Sequence, residues 1–413
     1  MERDGNNNGR ASGSTRSAVV FGSPQRYRRV SMQPSDLRVA LFSGNYNYVR
    51  DGANQALNLL VGYLMTQGVT VRVYSPTVAR PAFPATGDLV GVPAIALPGG
   101  RGEYRVAWGM PGSIRRDLAA FAPNIVHVSA PELLGHRALS WARRHGVPAI
   151  ASLHTRFETY PRYYGLSVLE RPIERLLTRF YDRSDAVLVP GQSMATILRH
   201  WGVRAPISIW SRGVDHDRFN PDRRDLGWRR ELGIADDAVA IGFLGRLVKE
   251  KGLDVFAEVA QALTRRGVPH EVLVIGDGPA REWFAAQVPG ARFAGFQRGE
   301  ALGRAVASMD VLFNPSVTET FGNVTLEAMA AGVPVVAARA TGAIDLVEEG
   351  RTGFLVPPRD ATAYADAIAR IVTKPGLRHS LGDAGHAKAA GYRWDRINSA
   401  VLDTYLSTIA ARG

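Results

Sequence analysis

Two glutamates stand eight residues apart around a glycine turn in the stretch SVTETFGNVTLEAMAAGVPVV, residues 316–336. The pattern predicts a loop that carries Glu319 and a short helix that starts at Gly322-Asn323 and carries Glu327. Free N–H groups at a helix start favour an anion. Each carboxylate accepts two hydrogen bonds, so each is able to hold a pair of sugar hydroxyls. The alternative interpretation, which is favoured for an isolated pair with this spacing, is one acidic residue in a loop and one on the surface of a helix. The glycine turn and the apolar frame favour the functional interpretation here.

A second charged segment, FLGRLVKEKGLDVF, occupies residues 243–256. Its apolar start predicts a strand, and Gly252 predicts the start of the next helix. Arg246 and Lys251 lie in the loop between them, where two cations beside a helix N-terminus are suited to bind a diphosphate. A basic loop taken alone is more often only solvated. The two glutamates later in the same predicted sheet favour a phosphate site.

The first half of the chain has fewer residues of this kind. The stretch FSGNYNYVRDGANQALN, residues 42–58, follows the first predicted strand, and its Gly44 and Gly52 allow a close approach to phosphate. His154 follows a later strand in SLHTRFETYPRYYG, residues 152–165. A lone histidine at this position is equally consistent with a structural role and with a place in a cleft.

These residues need elements that bring them together, and the chain alternates short apolar runs with amphipathic stretches. Such alternation predicts an α/β protein with parallel sheets covered by helices on both faces. The first series of predicted strands is 37–42, 69–74, 125–128, 148–152 and 186–189, with helices at 54–67, 132–145 and 192–200. The second series is 239–245, 271–278, 311–315 and 334–338, with helices near 252–266 and 299–308. Since ligands bind beyond the carboxyl ends of parallel strands, two such domains that face each other share a cleft.

A chain of 413 residues is too long for one core, so two domains are expected. The polar, Arg-containing start reads as a disordered basic tail without a signal peptide. The last residues predict an amphipathic helix at 394–410. The sequence does not fix what this helix packs against, and the first domain is one candidate. The predicted boundaries are 1–35 for the tail, 36–207 for the first domain, 208–225 for the linker, 226–390 for the second domain and 391–413 for the last helix.

Charge is distributed unevenly along the chain. Residues 1–210 hold 25 arginines and 13 acidic residues, whereas residues 211–413 hold 25 basic and 25 acidic residues. This asymmetry indicates a polyanionic partner of the first half, either an anionic membrane or a nucleic acid. A genome rich in arginine codons accounts for arginine over lysine but poorly for the asymmetry. No nucleic-acid-binding module is recognisable, so we expect no nucleic acid partner.

Cysteine is absent, which excludes disulfides, thiolate metal sites and a cysteine nucleophile. The DHD sequence at residues 215–217 resembles a carboxylate metal site. It lies in the predicted linker rather than at a strand end, so we expect no metal site there. No apolar run reaches the length of about 18 residues that a transmembrane helix needs. These features fit a cytoplasmic protein.

Several motifs together resemble one enzyme family. They are GRLVKEKG, NPSVTETFGNVTLEAMAAGVPVVA, EEGRTGFLVPP at 348–358, GVDHDRF in the linker and, more weakly, LHTRF with the glycine loop of the first half. The chain resembles the retaining family-4, group 1 glycosyltransferases, whose GT-B fold has two facing Rossmann-like domains. Nucleotide-sugar 2-epimerases share this fold but lack the two-glutamate pattern in this form.

The resemblance implies a role for each matching residue. A residue like Glu327 holds the nucleotide ribose, and one like Glu319 contacts the donor sugar. His154 is a donor-sugar contact near the reacting carbon, and Arg246 with Lys251 clamps the diphosphate. The implied donor-binding set is Gly52, Arg246, Lys251, Glu319, Phe321, Gly322, Asn323 and Glu327, and the implied catalytic set is His154, Glu319, Arg246 and Lys251. Because fixed cations meet the phosphate charge, no metal or other cofactor is expected.

The acceptor is indicated by two segments of the first half. HTRFETYPRYYGL resembles lipid-directed members, including mannosyl- and sulfoquinovosyltransferases. The loop at 98–116, which includes Trp108, mixes arginines with apolar residues as a membrane-binding surface does. We therefore expect transfer of a hexose from a GDP- or UDP-linked donor to a lipid or lipid-linked acceptor, by an enzyme bound to the cytoplasmic face of the inner membrane. A soluble or polysaccharide acceptor is the alternative.

Overall fold

The computed structural model describes Met1 and residues 32–49, 51–96 and 105–412. Gln33–Gly413 forms one compact unit. Most of the predicted tail at 1–35 lies outside the described residues, as does Arg101 in the loop predicted to bind a membrane.

The first half alternates strands and helices from residue 38 to residue 209. In chain order its elements are β1 (Arg38–Phe42), α1 (Gly52–Thr66), β2 (Thr70–Ser75), β3 (Asp88–Gly91), β4 (Ala94–Ala96), β5 (Arg105–Ala107), α2 (Gly112–Phe121), β6 (Ile125–Val128), α3 (Leu133–Arg144), β7 (Ala149–Ser152), α4 (Glu170–Tyr181), β8 (Ala186–Val189), α5 (Gln192–His200) and β9 (Ile207–Ile209). Short 3₁₀ turns at Phe157–Tyr164 and Ser167–Leu169 lead from β7 to α4.

Within the described residues, seven strands of this half form one parallel sheet in the order β3-β2-β1-β6-β7-β8-β9. Strand β1 is central, with Val39 beside Val71 on one side and Ile125 on the other. The inner strands are buried on both faces, which is why they read as continuous apolar runs rather than alternating ones. The sheet order reverses between β1 and β6, which makes their carboxyl ends a topological switch point.

The second half repeats this pattern. Its elements are α6 (Leu226–Glu231), β10 (Ala240–Leu244), α7 (Leu253–Arg265), β11 (Glu271–Ile275), α8 (Arg281–Gln287), β12 (Arg292–Gly295), α9 (Gly299–Ala307), β13 (Val311–Asn314), α10 (Asn323–Ala330), β14 (Val335–Ala338), α11 (Ala343–Leu346), β15 (Gly353–Val356), α12 (Ala361–Thr373), α13 (Pro375–Ala389) and α14 (Trp394–Ala410). The six strands described here form a parallel sheet in the order β12-β11-β10-β13-β14-β15. The predicted α/β architecture with two doubly wound sheets is confirmed.

The last helix returns to the first half. Helix α14 contacts α1 and β8, and the guanidinium of Arg412 pairs with Asp185 at 2.6 Å. Tyr405 on this helix is fully buried. The residues at 208–225, predicted as the linker, begin within β9 and lead to α6.

A buried ion pair holds α6 on the second sheet. Arg229 is completely buried and donates to Asp310 Oδ2 at 2.7 Å and to the Ser308 carbonyl at 2.9 Å. The backbone N–H of Ala240, the first residue of β10, donates to the same carboxylate oxygen at 2.7 Å. One carboxylate therefore ties the end of the linker to the start of the second sheet.

The edge strands β3, β9, β12 and β15 and the short antiparallel pair β4-β5 are absent from the sequence-based prediction. They span only three or four residues each, and β3, β9 and β12 are only partly buried. Their apolar signal is therefore weak compared with that of the inner strands. None of the described helices is long and apolar enough to cross a membrane.

Candidate active site

The carboxyl ends of the two sheets meet, and side chains bridge them. Thr320 lies in the loop after β13, and His154 lies in the loop after β7. The Thr320 hydroxyl donates to the carbonyl of His154 at 2.9 Å. Gly52 at the start of α1 faces the side chain of Asn323 at the start of α10, and a Cβ at Gly52 would collide with that amide. The N-termini of two helices therefore point at one cleft, as expected for an anion-binding site.

A third bridge joins the loops at the rim of the cleft. The carboxylate of Asp345 on α11 accepts hydrogen bonds from the Ser193 hydroxyl at 2.6 Å and from the Ser193 backbone N–H at 3.0 Å. It therefore caps α5 of the other half, which has no side-chain cap of its own. The same contact requires glycine at position 191, because a Cβ there would collide with the carboxylate.

An ion pair joins the predicted phosphate loop to the segment that carries the two glutamates. Lys251 is the last residue of a 3₁₀ turn. Gly252 follows with a φ of +73° and precedes α7. The ammonium of Lys251 donates to Glu319. The two motifs found separately in the sequence thus meet in space. Arg246 lies in the same loop, is exposed, and forms no ion pair with a described residue.

The glycine turn between the two glutamates starts a helix, as the sequence predicts. Gly322 has a φ of +94°, a left-handed conformation that favours glycine, and it caps the start of α10. Phe321 is buried beneath the turn. Glu327 lies in the second turn of the helix and is half-buried. Burial raises the pKa of Glu327 to about 8, and the positive charge of Arg218 partly opposes this shift.

His154 lies in a buried chain of hydrogen bonds that the sequence does not reveal. Its Nδ1 is 2.8 Å from the guanidinium of Arg212, and its Nε2 is 2.9 Å from the Ser152 hydroxyl. The Ser152 hydroxyl is 2.8 Å from His127 Nε2, and His127 Nδ1 is 2.6 Å from the Tyr405 hydroxyl. The chain runs from the linker, through two strands of the first sheet, to the C-terminal helix.

The guanidinium sets the direction of this chain because it donates hydrogen bonds and accepts none. His154 Nδ1 must accept, so its Nε2 carries the proton and donates to Ser152. The Ser152 hydroxyl then donates to His127 Nε2, and His127 Nδ1–H donates to Tyr405. Burial and the Arg212 charge hold the pKa of His154 well below its usual range, and burial lowers that of His127 to about 3.

This arrangement refines the role expected for His154. Both of its ring nitrogens are engaged within the protein, and its carbonyl accepts from Thr320. The residue lies in the cleft, as the sequence-based interpretation allowed. Its imidazole is held neutral and in one orientation, and its contact with the donor sugar stays a prediction.

The residues missed by the sequence analysis are Arg212, Ser152, His127 and Tyr405. Arg212 is 4% exposed and lies in the predicted linker, just before the GVDHDRF motif, where its positive charge gives no indication of burial. The others come from separate elements, and their meeting depends on how the strands and the last helix pack. A weak signal existed only for Ser152, which ends a strand two residues before His154.

The acids of the DHD sequence do not form a cluster. Asp215 accepts from the backbone N–H of Arg218 at 3.1 Å and pairs with the guanidinium of the same residue at 3.2 Å. Among the described residues, no group of three or more metal-ligating side chains comes together.

The chain of hydrogen bonds predicts a specific state for both histidines. Since burial lowers both pKa values, we expect His127 and His154 to stay neutral from pH 8 down to pH 5, with protons on Nδ1 of His127 and Nε2 of His154. Imidazole ¹⁵N NMR measures both states. Ser152→Ala should shift the ring resonances of both residues, whereas Ser140→Ala, on the outer helix α3, should leave them unchanged. Proton uptake by either ring above pH 5 would contradict the assignment.

Comparison with known proteins agrees with this geometry. A family model described as "Glycosyl transferases group 1" matches residues 238–374, and one described as "Glycosyltransferase Family 4" matches residues 50–218. A GDP-mannose-dependent alpha-mannosyltransferase of Mycolicibacterium smegmatis is 31% identical over 384 residues, covering 91% of this chain and 99% of that protein. A sulfoquinovosyl transferase of Arabidopsis thaliana is 33% identical over 67% of this chain, which spans 55% of the plant protein.

Solved structures show the same fold at lower identity. Sucrose-phosphate synthase from Thermosynechococcus elongatus has a TM-score of 0.71 at 21% identity, covering 90% of this chain and 99% of that chain. The Anabaena protein HepE in complex with UDP-glucose has a TM-score of 0.69 at 18% identity, covering 89% and 99%. The chain belongs to the group 1, family 4 glycosyltransferases and has the GT-B fold.

Proposed function

We propose that this glycosyltransferase transfers a hexose, with retention of configuration, from a GDP- or UDP-linked donor to a lipid or lipid-linked acceptor at an anionic membrane surface. The membrane is the cytoplasmic face of the inner membrane. The observation that carries the donor half of the proposal is the meeting of Lys251, Glu319 and the start of α10 at one end of the cleft, beside the exposed Arg246.

These groups are suited to a nucleoside diphosphate as leaving group. When the donor binds, its diphosphate replaces Glu319 as the ion-pair partner of Lys251. Glu319 is then free to accept hydrogen bonds from the sugar. Arg246 and the N–H groups at Gly322 and Asn323 meet the remaining charge as it develops. Glu327 holds the ribose hydroxyls. The acceptor hydroxyl attacks on the face that the diphosphate leaves, and a phosphate oxygen takes its proton, so no side chain serves as a nucleophile.

The lipid half of the proposal is supported by an exposed surface that follows the cleft segment. We call it the α4 surface, and its apolar members are Leu166, Val168, Leu169 and Leu176, which are 43–78% exposed. Arg171, Arg175 and Arg179 stand four residues apart on α4, are exposed, and form no ion pair with any described residue. Aliphatic side chains beside unpaired arginines match the chemistry of an anionic lipid surface.

The loop at 98–116, which the sequence predicts to bind a membrane, and helix α4 both contact helix α3. Helix α3 contacts β5, just before Trp108, and its His136 packs edge-on against Phe180 of α4 with ring centroids 4.8 Å apart. Trp108 is 71% exposed, and Arg115 and Arg116 are exposed as well. The loop and the helix α4 therefore both contact α3.

The donor assignment predicts the effect of removing the two cations. Arg246→Ala/Lys251→Ala should lower turnover of the nucleotide sugar about a hundredfold or more, since each charge-assisted hydrogen bond contributes about 1.5–3 kcal/mol. Lys249→Ala, in the same 3₁₀ turn, should have little effect. Turnover is measured with a panel of nucleotide sugars, and a fully active double variant would refute the assignment.

Glu327 predicts a pH dependence of nucleotide binding. Burial raises its pKa to about 8, so raising the pH from 7 to 9 ionises a carboxyl that is mostly protonated at the start. The ionised form accepts both ribose hydroxyls, so affinity for GDP or UDP should increase over this range. Glu327→Gln should bind more weakly and lose the dependence. Calorimetric titration measures both, and equal pH profiles in the two proteins would exclude this role.

Metal independence is the third expectation. Activity should survive EDTA, because Arg246, Lys251 and the start of α10 supply the positive field that a divalent ion would otherwise provide. Loss of activity in EDTA with rescue by magnesium or manganese would instead direct attention to Asp215 and Asp217.

The membrane proposal predicts co-sedimentation with liposomes that contain anionic lipid, and weaker binding at higher salt, since screening acts over about 10 Å at 0.1 M. Val168→Ser/Leu176→Ser/Arg171→Glu/Arg175→Glu should reduce binding. Trp108→Ala/Arg115→Glu/Arg116→Glu tests the neighbouring loop.

Phe296→Ser/Arg265→Glu is the matched control, because both residues are exposed on the second half. If the wild type ignores anionic liposomes at low salt, docking fails and the soluble acceptor is favoured.

A further inference from the structure

The partly buried side chain of Glu132 lies in the first half, at the topological switch point of its sheet, and its Oε2 has no hydrogen-bond partner among the described residues. Glu132 follows β6 and Gly44 follows β1, and these two strands pair with each other. Ligands of doubly wound sheets bind where the carboxyl ends of such strands diverge. The reaction in this family needs a second substrate beside the donor, and the donor residues above are mostly on the other half. The switch point of the first sheet is therefore available to the acceptor.

The backbone around Glu132 is shaped to hold its side chain there. The carboxylate lies directly over Gly44, where a Cβ would collide with both of its oxygens. Gly135 leaves room for the carbonyl of Ala130, which keeps the turn before α3 tight. Tyr48 packs beneath the same loop and donates from its hydroxyl to the Gly44 carbonyl at 2.6 Å. One side of the carboxylate is thus bounded by the main chain at Gly44, which leaves no room there for a side chain.

The carboxylate has no partner that explains its position. Glu132 occupies the N-cap position of α3 but makes no side-chain capping hydrogen bond. Its Oε2 is buried and has no hydrogen-bond partner among the described residues. Burial raises the pKa of Glu132 to about 7, with no nearby cation opposing the shift. In a half with 25 arginines, a carboxyl left unpaired in a cleft is a group with an unused capacity to accept hydrogen bonds.

We propose that Glu132 binds a hydroxyl group of the acceptor, and that the acceptor headgroup is an uncharged polyol or sugar rather than a phosphate ester at this position. This inference rests on the proposed function, because it concerns the second substrate of the same cleft. A carboxylate accepts hydrogen bonds from two hydroxyls. A phosphate at the same place would be repelled by the negative charge of the Glu132 carboxylate, and such repulsion selects strongly against a phosphorylated acceptor. Glu132 is thus a binding residue that determines specificity, and it takes no part in bond formation.

Two acceptor probes of matched shape test the proposal: octyl α-D-glucoside and octyl α-D-glucoside 6-phosphate. Each is used with the full chain and with GDP-mannose and UDP-glucose as donors. The wild type should show a KM for the neutral probe at least tenfold below that for the phosphorylated one. Glu132→Gln should raise the KM for the neutral probe. The ratio of the KM for the phosphorylated probe to the KM for the neutral probe should fall at least fivefold. Hydrolysis of the donor without acceptor should not change, which shows that the variant is folded.

The pH dependence gives a second readout that a structural role would not produce. Because the carboxyl accepts better when ionised, the KM for the neutral probe should fall as the pH is raised from 6 to 8 in the wild type and stay flat in Glu132→Gln. Glu300→Gln, an exposed acid on the second half, is the matched control and should behave as the wild type.

Three results would overturn the proposal: a wild type that prefers the phosphorylated probe, unchanged KM values in Glu132→Gln, or donor hydrolysis with transfer to neither probe. Failure of the proposed function is distinguishable, since it would abolish donor hydrolysis and transfer with every nucleotide sugar in the panel.

Discussion

The buried guanidinium of Arg212 is the interaction on which the geometry of the cleft depends. A charged group that is 4% exposed must find acceptors, and it finds the carbonyls of Trp210 and Ser211 and the Nδ1 of His154. Burial lowers its pKa to about 10, so it remains charged at neutral pH. Its fixed direction of donation selects the tautomer of His154. The linker therefore determines the state of a side chain that belongs to the first half.

The same chain of hydrogen bonds joins three parts of the molecule that are distant in sequence. It starts in the linker, crosses β7 and β6, and ends at Tyr405 on α14. A network that is buried and satisfied has one good arrangement, because each member left without a partner would be costly. The wall of the cleft is complete only when the last helix has packed onto the first half. This gives the C-terminal helix a part in the site without placing any of its residues at the reacting atoms.

Among the described residues, the contacts across the cleft include the hydrogen bond from Thr320 to His154 and the close approach of Gly52 to the Asn323 side chain at the start of α10. Lys251 pairs with Glu319 within the second half. Under the proposed donor assignment, a diphosphate would compete with Glu319 for Lys251. The Asp345 cap on α5 lies at the rim and involves no donor residue. It is suited to hold the two halves together while the inner contacts change.

Charge in the first half has two uses. Some arginines are committed to structure: Arg72 pairs with Asp88 at 2.7 Å, and Arg183 donates to the Ser140 hydroxyl at 2.6 Å. The arginines of α4 are exposed, without such partners among the described residues, and lie beside aliphatic side chains. The asymmetry visible in the composition thus includes a concentrated surface as well as structural pairs. That surface follows directly from the segment that carries His154.

The sequence by itself determined the fold class, the inner strands and the position of the Arg246–Lys251 loop and the Glu319–Glu327 segment in one sheet. Buried parallel strands leave continuous apolar runs, and a glycine turn before a helix is a local signal, so the sequence alone indicates the inner strands and the helix start at Gly322. It also placed His154 at a strand end. Only the tertiary structure decided what surrounds these residues. Arg212, His127, Tyr405 and Glu132 are ordinary residues in their local segments. Their roles arise from burial and from contacts between elements up to 278 positions apart, which no local pattern encodes.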